Sequence, residues 1–179
     1  MIFNVAQLMK EPVGSGASTE ADILEEKVQL DEDLKVLGPI NGHVRMRRIK
    51  QGLLVDGGVD LVLGMECARC LKEFELPTHI TFAERFNPTV DVMTGTPLPR
   101  IEEDDVFAID EHHQVDLTEA IRQAVLLAVP LVPLCKEDCA GLCGQCGQDL
   151  NLGHCNCQPV EIDSRLDVLK QLLQNEQLS

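Results

Sequence analysis

Six of the chain's eight cysteines crowd into one stretch, Leu134 to Cys157: Cys135, Cys139, Cys143, Cys146, Cys155 and Cys157. The other two, Cys67 and Cys70, form a lone C-x-x-C far upstream. Eight thiols at such spacings read as two four-cysteine zinc sites, because zinc takes four thiolates tetrahedrally and short spacings let neighbouring sulfurs face one ion. Whatever this chain folds into must bring distant cysteine pairs together, and that demand constrains it more than local propensity does.

The spacings leave two groupings open. Cys143, Cys146, Cys155 and Cys157 form a compact set, with Gly144 and Gly147 easing the turn around a metal. By subtraction Cys135 and Cys139 join Cys67 and Cys70, pinning an upstream hairpin to the segment after a helix. The alternative puts Cys135, Cys139, Cys143 and Cys146 on one ion and Cys67, Cys70, Cys155 and Cys157 on the other. His154 can replace Cys155 or Cys157 in either scheme. Eight sulfurs filling two tetrahedra leave no open position for water, which favours structural over catalytic zinc. A thioredoxin-like role needs a C-x-x-C that opens a helix in a βαβ unit, whereas Cys67 and Cys70 sit between strand-like segments.

The formal net charge of −15 repels phosphate and attracts basic proteins. Aromatic residues make up 3%, with neither Trp nor Tyr, so base-stacking platforms are scarce and the core rests on Leu, Val and Ile. No apolar run reaches the roughly 18 residues of a membrane span, and the first residues lack a secretory-signal pattern. The expectation is a cytoplasmic protein, where thiols are reduced and metal-bound rather than disulfide-bonded.

Taken in order, Ile2 to Met9 fits an edge strand or a short helix. Glu20 to Asp33 is acidic, with Ile23, Val28 and Leu30 marking a strand. Asn41-Gly42 predicts a tight turn, and Gly57-Gly58 predicts a hairpin between Leu53–Val55 and Val59–Met65. From Val44 the alternation puts Val44 and Met46 on one strand face and Arg45 and Arg47 on the other. With Arg48, Lys50 and Arg69 these arginines are the candidate RNA contacts; a solvated strand face is the plainer reading. Phe74 to Phe86 reads as a strand. Glu102 to Asp105 is an exposed acidic loop, and His112 and His113 are surface residues. Asp116 and Glu119 suit a capping box, opening a helix with Leu117, Ile121, Ala124, Val125 and Ala128 on its buried face, stopped by Pro130. A last helix near 163–174 carries Leu166, Leu169, Leu172 and Leu173.

The expected architecture is α+β: a mainly antiparallel sheet or partly closed barrel from residues 20–90, two helices and a cysteine-rich zinc-binding segment. A β-rich domain over 1–134, including the helix near 117–128, packs as one unit with a zinc segment and helix over 135–179.

Several motifs resemble the YceD family, named for large ribosomal RNA subunit accumulation: E-C-A-R-C-L at Glu66 to Leu71, D-L-T-E-A-I at Asp116 to Ile121, V-P-L-V-P-L-C at Val129 to Cys135 and D-C-A-G-L-C-G-Q-C-G-Q-D-L-N at Asp138 to Asn151. The closing C-N-C and S-R-L-D-V-L-K resemble it as well. The resemblance implies a role in synthesis, processing or accumulation of large-subunit ribosomal RNA, and no catalytic residue. It also implies that the distal four-cysteine site is an optional stabiliser, since some members lack it, and it supports pairing Cys67 and Cys70 with the region of Cys135 and Cys139. The charge then suggests indirect action, an acidic surface holding a basic ribosomal protein or assembly factor. The alternatives are direct contact with ribosomal RNA or the pre-ribosome, a thiol oxidoreductase, a zinc-dependent enzyme, or a zinc-ribbon RNA-binding adaptor.

Overall fold

Period-two alternation of apolar and polar residues builds three unusually long strands: β3 (Lys35–Ile49), β4 (Gly52–Glu66) and β5 (Glu73–Pro88). Val44 and Met46 are buried while Arg45 and Arg47 face outward, as the pattern in β3 predicts. The computed structural model describes residues 1–26, 29–31, 34–99 and 106–157. The chain divides into two units, Met1–Glu137 and Asp138–Ser179.

In the first unit, β2 (Ser18–Glu25), β3, β4, β5 and β6 (Val106–Ile109) form a sheet in that spatial order. All its pairings are antiparallel except the last, where β6 runs parallel to β5. A second sheet joins β1 (Ile2–Asn4) to β7 (Gln114–Asp116). The larger sheet keeps β2 and β6 as separate edges; among the described residues no pairing closes it, so the expectation of a partly closed barrel gives way to an open sheet.

One face of the sheet carries the core. Ile40, Val44, Leu53, Val55, Leu63 and Phe86 are fully or almost fully buried, together with Val5, Leu8 and Met9 from the N-terminal segment and Leu117, Ile121 and Val125. Phe86 stacks on Phe107 with ring centroids 5.2 Å apart. Two helices supply part of this cover, α1 (Ala6–Lys10) and α2 (Thr118–Ala128). The segment Ile2 to Met9 is thus both a strand and a short helix. Val129 takes the extended conformation that a following proline favours, which ends α2 at Pro130. On α2 the buried set includes Ala120 in place of Ala128, which is exposed.

The structure corrects three local expectations. Asn41-Gly42 is no turn; it lies inside β3, whose only register irregularity in the described pairing falls between Leu37 and Asn41. Gly57-Gly58 is no hairpin either, because β4 runs unbroken through it. Both glycine sites are instead places where β3 and β4 approach too closely for a side chain. A Cβ on Gly42 would lie 2.6 Å from the carbonyl oxygen of Gly58, and one on Gly57 would lie 2.6 Å from that of His43. At α2, Asp116 accepts hydrogen bonds from the Thr118 N–H and hydroxyl. Glu119 does not complete a capping box; its carboxylate is held by Arg122 and Gln123.

Ile23 and Leu30 are both buried, but β2 ends at Glu25, so only Ile23 lies in the expected strand. Val28, residues 100–105 including the Glu102–Asp105 loop, and the helix near 163–174 lie outside the described residues. The described part of the second unit, 138–157, is made of turns and one isolated bridge, Leu142 to Asp149. No described helix is long and apolar enough to cross a membrane.

Candidate metal centres

Cys67 and Cys70 occupy the tight turn that joins β4 to β5, directly after Glu66 and shortly before Glu73. The Cys67 N–H donates to Lys72 O (2.9 Å) and the Leu71 N–H to Cys67 O (2.9 Å). Leu71 sits in the left-handed region, at φ 58°. Cys143 and Cys146 repeat this frame. There the Cys143 N–H donates to Gln148 O (2.8 Å), the Gly147 N–H donates to Cys143 O (2.9 Å), and Gly147 has φ 73°. The two knuckles share one backbone solution. Gly147 enters the left-handed region without the steric cost that Leu71 bears.

Around each knuckle four sulfurs gather. Those of Cys67, Cys70, Cys135 and Cys139 lie within 4.8 Å of one another, and so do those of Cys143, Cys146, Cys155 and Cys157. This is the first of the two groupings that the spacings allow. The Ala68 N–H donates to Pro133 O at 2.8 Å, which fixes the chain leading to Cys135 beside the hairpin tip. Cys70 and Cys135 sulfurs stand 3.7 Å apart. Four thiolates bonded at about 2.3 Å to a tetrahedral ion stand about 3.8 Å from each other, whereas a disulfide needs about 2.05 Å. None of the eight cysteines is in a disulfide. The donor sets therefore fit metal ions. His154 is not among either set.

Hydrogen bonding prepares some of these sulfurs as thiolates. The Cys67 thiol is lowered to about 6, first by the backbone N–H of Cys135 and, against the opposing effect of burial, by those of Cys70 and Arg69. The Cys143 thiol is likewise lowered to about 6 by the N–H groups of Cys146 and Gln145. Cys157 is pushed up to about 12, chiefly by its hydrogen bond with the Cys146 thiol and by burial, with neighbouring Cys143 adding to it. Thiols packed together resist losing successive protons, and a bound cation removes that penalty.

Asn151 is a supporting residue that the motif alone does not expose. Its amide donates to Cys139 Sγ at 3.4 Å and to Asp149 at 2.8 Å, while its oxygen accepts the Ala140 N–H at 2.9 Å. Such outer contacts orient a ligand sulfur. Only its position after D-L in the cysteine run marked it.

The candidate RNA contacts lie in three settings. Arg45 bonds Glu20 through Nε (2.8 Å) and Nη2, and Arg47 bonds Asp56 at 2.9 and 3.1 Å, all on the outer face of the sheet. Arg48 turns its Nη1 onto the carbonyls of Ile49 and Gly52 (2.9 and 2.8 Å). Lys50 lies with Arg48 at a cleft against Asn87, Pro88 and Asp91, while exposed Arg69 belongs to the first knuckle. Two outer-face pairs had no sequence signal: His43 with Asp22 (3.0 Å) and His79 with Asp60 (2.7 Å). Only the strand register reveals them.

Fold and sites together define an α+β protein with an open sheet and two four-cysteine clusters that could hold metal ions. The chain belongs to the YceD family: the family model described as large ribosomal RNA subunit accumulation protein YceD matches residues 55–173. It is similar to an uncharacterized protein of Mycobacterium tuberculosis, 34% identical over 132 residues that cover 73% of this chain and 60% of the relative. YlbN of Bacillus subtilis, also uncharacterized, is 25% identical over 179 residues, 98% of each chain. The large ribosomal RNA subunit accumulation protein YCED homolog 1, chloroplastic, of Arabidopsis thaliana is 31% identical over 160 residues, 78% of this chain and 50% of the relative. The chain thus spans about three fifths of the length of the M. tuberculosis relative and half that of the plant one. No solved structure matches it.

Proposed function

We propose that this chain is a non-enzymatic factor of ribosome biogenesis that supports synthesis, processing or accumulation of large-subunit ribosomal RNA. In this reading its acidic surface holds a basic ribosomal protein, and two structural zinc ions fasten the scaffold. Family membership supports the ribosomal role. The observation that carries the choice of partner is the fate of the cations. Against a net charge of −15, Arg45, Arg47 and Arg122 are each committed to carboxylates of the same chain. With these pairs formed the chain keeps its excess of carboxylates, which attracts a basic partner and repels phosphate. Four sulfurs per centre fill a tetrahedral zinc and leave no position for a substrate or water, in keeping with a scaffold.

The test is affinity capture of the full chain from growing cells at moderate salt, after crosslinking, with RNA and protein neighbours both identified. A basic ribosomal protein recovered after nuclease treatment is the expected result. Recovery of RNA without any such protein would sink the reading. Neutralising Arg45, Arg47, Arg48, Lys50 and Arg69 together is expected to leave RNA association unchanged.

A further inference from the structure

β5 is sixteen residues long, yet its two edges are treated unequally. β4 pairs with it continuously from Glu73 to Phe86. On the opposite edge β6 pairs only with Arg85 to Pro88. Among the described residues nothing pairs with that edge between Glu73 and Ala83.

The direction of the backbone groups there follows from the β6 end. The Thr89 N–H donates to Ile109 O at 3.1 Å, so odd-numbered residues of β5 turn their N–H and C=O toward the β6 side. Pro77, which has no N–H, falls in this odd set, where a sheet tolerates it. Glu75, His79, Thr81 and Ala83 therefore present a row of backbone donors and acceptors, and their residues are exposed. An open row of this kind is a template for another strand.

The side chains beside the row point to its occupant. On the outer face Glu66 lies directly opposite Glu73, with Glu75 next along the same strand face. Like charges placed opposite each other in a sheet are unfavourable; Lys35 reaches Glu73 at 3.4 Å between exposed side chains. On the other face Phe74 and Leu76 are half-buried, and Leu76 packs on the core. A strand laid here would be favoured by cations on one face and apolar residues on the other. A second copy of β5 is a poor fit, since it would bring Glu75 and its neighbours against their own kind and lacks a donor at Pro77.

We infer that this edge docks an extended segment of a protein partner in which basic and apolar residues alternate. Its backbone adds to the sheet beside Glu75 to Ala83. Its basic side chains lie by Glu73 and Glu75, and its apolar ones continue the layer of Phe74 and Leu76. This deepens the proposed function, on whose cationic partner it rests, by naming the contact.

The probe is acetyl-(Lys-Val)5-amide added to the metal-loaded full chain, read by amide hydrogen exchange in NMR spectra. The N–H groups of Glu75, His79, Thr81 and Ala83 are expected to exchange at least about tenfold more slowly at saturating peptide, as newly bonded amides do. Thr81→Pro removes one outward N–H at an exposed site that the β4 ladder does not use; it is expected to weaken peptide binding about tenfold, with the circular dichroism spectrum unchanged. The matching (Glu-Val)5 peptide should not bind. If the lysine peptide binds without protecting these four amides, the edge is overturned while the wider idea of a basic partner stands. If no lysine peptide binds even at low salt, the edge is overturned too, and the capture experiment above decides the wider reading by itself.

Discussion

The crossing of β3 and β4 offers a sharp test, because two adjacent glycines there face opposite sides of the sheet. Alanine at position 57 would place its Cβ 2.6 Å from the His43 carbonyl oxygen and 2.7 Å from a methyl of Val44. Neither neighbour can move freely: one is backbone in a paired strand, the other a fully buried β-branched side chain. Overpacking of this type costs about 1–3 kcal/mol. Loss of glycine freedom in the unfolded chain returns about 0.4–1 kcal/mol. Gly57→Ala should therefore lower stability by about 1–2 kcal/mol, or roughly 2–8 °C in Tm for a chain of this size. At Gly58 the added Cβ meets the His79 ring at 3.2 Å, and that side chain is exposed and able to swing aside. Gly58→Ala should be neutral, or stabilising by up to about 1 kcal/mol. Urea titrations of both variants with metal in excess would give the comparison through their midpoints. If Gly57→Ala has a midpoint equal to or above that of Gly58→Ala, at unchanged m-value, the close approach of the strands is wrong.

Metal analysis and native mass spectrometry should find two ions in the full chain. Cys67→Ser and Cys135→Ser should each remove the same ion and be non-additive when combined, whereas Cys155→Ser should remove the other; a shared loss between Cys67 and Cys155 would revive the rejected grouping. For the chelated chain, Cys67 and Cys143 have folded values near 6 against an ordinary 9.0. Their depressed values contribute stability that is present above pH 9 and lost as pH falls toward 6. Stability measured across that window should rise with pH, and less so in Cys67→Ser; Cys157, raised to about 12, acts with opposite sign only above 9. Arg122 joins Glu119 at 2.7 Å to Asp31 at 2.8 Å, partly shielded from solvent. Arg122→Met should lower the chemical-denaturation midpoint, and a loss no larger in Arg122→Met than in the exposed Lys35→Met would count against a network there.

Legibility differed from element to element for physical reasons. The alternation through Val44, Arg45, Met46 and Arg47 was readable because a strand's side chains alternate faces whatever it pairs with. The knuckles were readable because thiolate geometry demands short spacings. The glycine pairs misled, since Asn41-Gly42 and Gly57-Gly58 carry the same local freedom whether a chain turns or lets another strand pass close by. The capping box failed for a similar reason: Glu119 had a competitor, Arg122, one helical turn away, itself anchored by Asp31 from a distant segment.

The order of residues was enough to establish the chemistry of the chain: eight thiols in knuckle spacing, a strongly anionic surface, and strands with one apolar face. Those properties belong to side chains and to intervals of a few bonds. Which sulfurs cluster together, which arginines are already neutralised, and which edge of β5 is left open among the described residues depend on pairings between residues tens of positions apart. Such pairings are chosen by burial and register across the whole sheet, so the cysteine run could announce two four-cysteine clusters while the strands assigned Cys67 and Cys70 their company.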